Sequence, residues 1–256
     1  MPGNENVFFS TVARVTAWRR RAVSRLVHRG RRWVREAGAV TAARPGPFRF
    51  ERIGAGSRLA FPQGTVFGEP WIRIGRDCMI GEQVTLSVGL VPADPADVDY
   101  GPEPVIRIGD GAVIGRDSHI VALAPIVIGD KVFCGPNVYV TSTNHAYHDT
   151  ERAIGEQWPS AAPVEIGFGC WLGVNSVILP GARLGRNVVV AAGAVVRGEV
   201  PDHCVVAGAP ARIVRRWDPV AGWQPPLRDP APRPLPEGVT AEELLDLAAL
   251  EQPAGA

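Results

Sequence analysis

Residues 166–196 read IGFGCWLGVNSVILPGARLGRNVVVAAGAVV, and an aliphatic residue returns at every sixth position: Ile166, Leu172, Ile178, Leu184, Val190, Val196. The same step runs earlier through Ile128, Cys134, Val140, through Ile108, Ile114, Ile120, and through Ile74, Ile80, Leu86, with a ragged start at Ile53 and Leu59. Four residues after these openers the side chain is small or β-branched, as at Cys78, Val84, Ala112, Ser118, Val132, Val138, Cys170, Ser176, Ala182, Val188 and Ala194. Glycine usually follows the opener, as at Gly75, Gly109, Gly129 and Gly167. A period of six is not a multiple of 3.6, so a helix cannot keep these residues on one face. A flat antiparallel sheet has no use for glycine at every sixth residue. A coil of three short faces fits: the opener fills a triangular core, the small residue packs under the next coil, and glycine permits the corner. The pattern predicts an all-β core, a left-handed parallel β-helix of hexapeptide repeats, over residues 46–216.

Two segments break the phase, at 90–104 and 145–163. Long loops in a regular solenoid usually carry function. The first holds Asp94, Asp97, Asp99 and Glu103 among prolines, which reads as a solvated loop or a wall of an acceptor pocket. The second begins in TSTNHAYHD, at the point where the coil stops.

Outside the coil, residues 1–45 form a basic segment. Phe8, Val12, Val15, Ala22, Leu26 and Trp33 recur at helical steps among Arg19, Arg20, Arg21, Arg25, Arg29, Arg31 and Arg32. That pattern predicts an amphipathic helix that either caps the coil or contacts a membrane surface. Residues 217–256 read as a proline-rich tail, ending in a short helix over 241–250 with Thr240 as its cap.

Composition narrows the function. A net charge of +1 supplies no global field for nucleic acid. Four scattered cysteines without a C-x-x-C pair argue against a zinc site or disulfides and predict reduced, buried thiols in a cytoplasmic protein. No apolar run reaches the roughly 18 residues of a membrane span. Of five histidines, His145 and His148 sit at the mouth of the late loop, where a rigid corner can present a proton acceptor near neutral pH. His119 stands beside a corner. Trp158 can line an acceptor site or staple the loop.

The coil, the Asn144-His145 pair at a loop mouth, the run PVEIGFGCWLGVNSVILPG and the ending VVAGAPARIVRR resemble the hexapeptide-repeat acyltransferases, nearest the galactoside and maltose O-acetyltransferases. The likeness covers residues 106–216. It implies an acyl-coenzyme A-dependent O-acyltransferase, most readily with acetyl-CoA and without a metal. The acceptor would be a hydroxyl of a sugar, glycan or related small molecule, and the assembly a homotrimer with each site between neighbouring coils. By the same resemblance His145 is the general base and Trp171 lies beside the thioester. Ala192 and Gly193 line the pantetheine arm, and Arg212 and Arg215 meet the coenzyme phosphates. The family's acceptor-positioning asparagine has no counterpart, and Asp117, Ser118 and His119 are the nearest polar candidates, with Asn144 and Trp158 at the loop. Val174 stands where a serine is common. Alternatives are an N-acyltransferase on an amino sugar, a γ-type carbonic anhydrase, for which the histidine spacing is wrong, and a non-catalytic β-helix scaffold. Peripheral contact with the inner membrane face through the N-terminal helix is a further expectation.

Overall fold

A computed structural model describes residues 5–93 and 97–226, with the side chains of residues 5–19 left out. Three parallel sheets wrap one core. Face 1 stacks Arg52–Ile53, Ile72–Ile74, Ile106–Ile108, Ile126–Ile128, Val164–Ile166, Arg183–Leu184 and Glu199–Val200. Face 2 stacks Arg58–Leu59, Met79–Ile80, Val113–Ile114, Phe133–Cys134, Trp171–Leu172, Val189–Val190 and Cys204–Ala207. Face 3 stacks Val66–Phe67, Thr85–Val88, His119–Ala122, Tyr139–Thr141, Val177–Ile178 and Val195–Val196. The result is the left-handed parallel β-helix that the six-residue period predicts. The openers from Ile74 to Val196 are buried, and so are the small residues four positions on.

The glycines do a different job from the one expected of them. Those after the openers have no positive φ. They are glycine because the next coil lies against them: a Cβ on Gly115 would sit 2.4 Å from the Gly135 backbone, and one on Gly173 would sit 2.6 Å from the Ala192 nitrogen. The left-handed corners fall elsewhere, many of them on Asp77, Gln83, Asp117, Lys131, Asn137, Asn175, Asn187 and His203. Asn and Asp tolerate that region better than most side chains. Each corner N–H donates to the coil before it, as Asn175 does to the Pro136 carbonyl at 3.1 Å.

Antiparallel strands close both ends of face 2. Val40–Thr41 pairs with Arg58–Leu59 at one end, and Arg212–Asp218 returns along Cys204–Ala207 at the other. The parallel pairing therefore ends at Ala207, and the first compact unit runs on through the returning strand to Trp217. From residue 218 onward, Gly222–Gln224 is a strand, and the Asp218 carboxylate accepts the N–H groups of Val220 and Ala221 at 2.8 Å. The expected helix over 241–250 lies outside the described residues.

Both phase breaks leave from the same edge, between face 3 and face 1. The first is held down by Trp71, whose indole N–H donates to the Gly101 carbonyl at 3.1 Å and whose ring meets Tyr100 edge-on at 5.0 Å. Asp94 lies outside the described residues.

Candidate functional site

The 3–1 edge carries the late loop, and its root is rigid. Ser142 is fully buried; its hydroxyl accepts the N–H groups of Leu123 and Ala124 at 3.0 Å and donates to the Ala124 carbonyl at 2.7 Å. Thr141 Oγ1 accepts the Thr143 N–H and donates to the Thr143 carbonyl, both at 3.1 Å. A two-residue antiparallel ladder then pins the mouth: Thr143 opposite Ala161, Asn144 opposite Ser160. His145 is the first residue beyond that ladder, and it is exposed. Deeper in the loop, the Gln157 amide donates to the carbonyls of Asp149 and Arg152 at 2.8 and 3.2 Å and accepts the Asp149 N–H at 3.1 Å. Tyr147 and His148 stack at 5.5 Å. Gln157 is thus the loop's staple, and Trp158, 82% exposed, is free of that duty.

The 2–3 edge gathers a second group. Asp117, Asn137, Asn175 and Gly193 occupy one column of left-handed corners, with φ of 58°, 57°, 59° and 69°. Ala192 and Gly193 are exposed, and a Cβ on Gly193 would meet nothing within 4 Å. Next to this column, on face 3, His119 lies in register with Tyr139, ring centroids 6.2 Å apart. On face 2, Phe133, Trp171, Val189 and Val205 stand in register, and Arg215 lies opposite Val205. Trp171 is 51% exposed. A register shift between Val205 and Val206 leaves Arg212 opposite Ala207, so both arginines align with the half-buried side of that strand. From Trp171 to Arg215 is three strand spacings, about 14 Å. Arg215 keeps a buried Nε without a hydrogen-bond partner, while Arg212 is exposed and donates to the Ala211 carbonyl at 2.9 Å.

The residues singled out in the sequence therefore divide between two edges of one chain. Asn144, His145 and Trp158 lie on the 3–1 edge. Asp117, His119, Trp171, Ala192, Gly193, Arg212 and Arg215 lie at or beside the 2–3 edge and face 2. Ser118 belongs to neither. It is buried, its hydroxyl donates to the Gly135 carbonyl at 3.3 Å and accepts the Val138 N–H at 3.1 Å, and it faces the core rather than an acceptor. The small-residue slot it fills already required an inward side chain. Sequence reasoning missed Ser142 and Gln157, whose side chains fix the loop; serine four residues before Ala146 in a run of threonines gave no periodic signal.

The thiols are chemically quiet. Cys170 is buried and donates to the Gly185 carbonyl at 3.0 Å, and burial pushes its pKa up to about 11. Burial, with a smaller push from Cys170, takes Cys134 to about 12. Buried and protonated at neutral pH, both are poorly placed to carry an acyl group. The sign for stability follows from linkage. A folded pKa above the free thiol's gives stabilisation that is complete below about pH 8.5 and is lost as pH rises through 11 and 12. Melting temperature is expected to fall from pH 8 to 11 less steeply in Cys134→Val/Cys170→Ala than in the parent chain. Equal slopes in the two proteins would refute the assignment.

Among the described residues no group of three or more His, Cys, Asp or Glu could hold a metal ion, and no helix is long and apolar enough to cross a membrane.

Two family profiles match: hexapeptide repeat of succinyl-transferase over residues 105–142, and bacterial transferase hexapeptide (six repeats) over residues 163–198. A protein of Escherichia coli K12, provisionally named as a lipopolysaccharide-biosynthesis O-acetyltransferase, is 30% identical over 155 residues, which is 58% of this chain and 76% of that one. The chain belongs to the hexapeptide-repeat acyltransferase family. Within the family, the galactoside O-acetyltransferase of the same organism is 36% identical over 121 residues, 47% of this chain and 58% of its own. Against several curated relatives the match takes in 38–60% of their length. Among solved structures, a variant of AntD, an N-acyltransferase from Bacillus cereus in complex with dTDP and coenzyme A, superposes with a TM-score of 0.53 at 15% identity. It covers 65% of this chain and 84% of that one, a likeness of fold.

Proposed function

We propose that this chain is an acyl-coenzyme A-dependent O-acyltransferase that carries an acyl group, acetyl first among them, to a hydroxyl of a sugar or glycan. The observation that carries the reading is His145: an exposed imidazole held at the pinned mouth of the late loop on a family scaffold. An alcohol is a weak nucleophile near neutral pH, and a placed base is worth roughly 10²–10⁴-fold. His145 takes the acceptor proton as the oxygen attacks the thioester carbonyl. The C–O bond forms, a tetrahedral oxyanion develops, and a fixed backbone N–H stabilises it. The C–S bond then breaks, and the departing coenzyme A sulfur takes the proton from the imidazolium. No enzyme-bound acyl group is needed, in keeping with the neutral Cys170.

In this reading the donor lies along the 2–3 edge. Its pantetheine arm passes Trp171, Ala192 and Gly193, and its phosphates meet Arg212 and Arg215, where a guanidinium suits phosphate oxygens. His145 sits on a different edge, so a complete site combines the 3–1 edge of one chain with the 2–3 edge of another. Asp117 and His119 would then reach the acceptor from the neighbouring chain. Closed cyclic assembly, as a homotrimer, makes each such pairing equivalent. The exposed apolar side chains of Met79, Phe133 and Trp171 along face 2 fit that contact.

The test is release of free coenzyme A from acetyl-CoA and longer acyl-CoAs over a panel of sugars, amino sugars and glycan fragments. Release that depends on a hydroxyl acceptor supports the proposal. Release only with amine acceptors turns it into N-acylation, and none with any acceptor favours a scaffold. Arg212→Ala and Arg215→Ala are expected to raise the KM for the acyl donor about tenfold or more, the scale of one charge-assisted hydrogen bond. A rise confined to the acceptor KM would remove the arginines from the phosphate site.

A further inference from the structure

The N-terminal helix spans Glu5–Gly38. Its last turn is tied to the coil. Arg35 pairs with Glu82, the Glu36 carboxylate accepts from both terminal guanidinium nitrogens of Arg58 at 2.9 Å, and the Gln63 amide donates to the Gly38 carbonyl at 2.9 Å. Before that anchor every described residue from Arg20 to Ala37 is exposed. From Arg20 to Ala37 the helix buries no side chain against the coil.

Its exposed surface has two chemistries. Val23, Leu26, Val27, Gly30, Trp33, Val34 and Ala37 recur at steps of three and four, which puts them on one stripe of an α-helix. Leu26 is 71% and Trp33 70% exposed. The rest of the circumference holds Arg20, Arg21, Arg25, Arg29, Arg31 and Arg32, none of which forms an ion pair among the described residues. The only acid from residue 20 to residue 37 is Glu36, already held by Arg58.

We infer that this helix lies on the surface of an anionic phospholipid bilayer, its aliphatic stripe and Trp33 at the acyl boundary and its arginines among the lipid phosphates. The charge pattern decides between occupants. A second copy packing stripe against stripe would bring arginines of like sign together at flanking positions, where coiled coils use opposite charges. Nucleic acid satisfies the arginines but leaves the aliphatic stripe in water. An anionic bilayer accepts both halves of the surface, because apolar burial and attraction to the lipid charge act together. A tryptophan also suits that boundary, with an apolar ring and one N–H donor.

The full chain is to be sedimented with vesicles of phosphatidylcholine alone, or of phosphatidylcholine mixed with phosphatidylglycerol. Binding to the mixed vesicles is expected to exceed binding to the neutral ones by about tenfold or more. Leu26→Glu/Val27→Glu should remove most of it, with unchanged helix content, oligomer mass and melting temperature. Absence of binding, equal binding to both vesicles, or binding that survives the double substitution overturns the inference. A fall in oligomer mass on the same substitution means that a second copy covers the stripe. Tight binding to duplex DNA that ignores the substitution, in place of vesicle binding, means a nucleic-acid surface.

Discussion

His145→Ala is expected to lower turnover by about two to four orders of magnitude, the worth of a positioned general base. Melting temperature and oligomer mass should not move. The imidazole is exposed and lies beyond the ladder that pins the loop, so its removal opens no cavity and orphans no buried group. The structure around it is kept by side chains that stay in place, Ser142 and Gln157 above all. A loss in kcat with an unchanged KM for the donor is the signature of an interaction made in the transition state rather than in binding. Unchanged turnover would end the mechanism. An equal loss in His148→Ala, with His145→Ala near the parent rate, would transfer the role three residues along the loop, to the ring stacked on Tyr147.

The fold was legible because a coil leaves one unmistakable trace, a buried side chain at every sixth residue, and no local exception erased it. What the period could not reveal is why particular residues are glycine. Gly115 and Gly173 look like corner glycines on paper, yet the left-handed corners fall at Asn137 and Asn175, and the glycines answer to the closeness of the next coil. Sequence spacing records one chain's turns; contact between stacked turns is a property of the assembled coil. The site was legible in parts. His145 announces itself at a phase break, and the phase alone assigns the loop to the 3–1 edge. Ser118 was misread because a hydroxyl in an inward slot resembles a polar ligand until its two backbone partners are seen. Ser142 was missed for the opposite reason, since its role depends on the backbone of residues 123 and 124, about twenty positions away in sequence and one coil away in space.

The proposed division of the site between two edges leads to the second large effect. Ala192→Trp sets a bulky side chain on the exposed 2–3 edge, where the proposed donor lies, and by itself it is expected to reduce activity by about two orders of magnitude or more, the cost of losing a placed reactant. His145→Ala disables the other edge. When the two inactive proteins are unfolded together and refolded as mixed oligomers, some junctions join the intact His145 of an Ala192→Trp chain to the intact donor edge of a His145→Ala chain. Random mixing in a cyclic assembly makes about one junction in four of this kind, so activity should return to about a quarter of the parent value. Proteins refolded separately and then combined, without exchange of subunits, should stay inactive. A site contained in one chain predicts no recovery under either protocol, because every chain would carry a lesion in its own site. Recovery therefore depends on geometry alone: His145 leaves the coil at one edge, Trp171 and Ala192 lie toward another, and the face between them keeps the two groups of one chain from meeting.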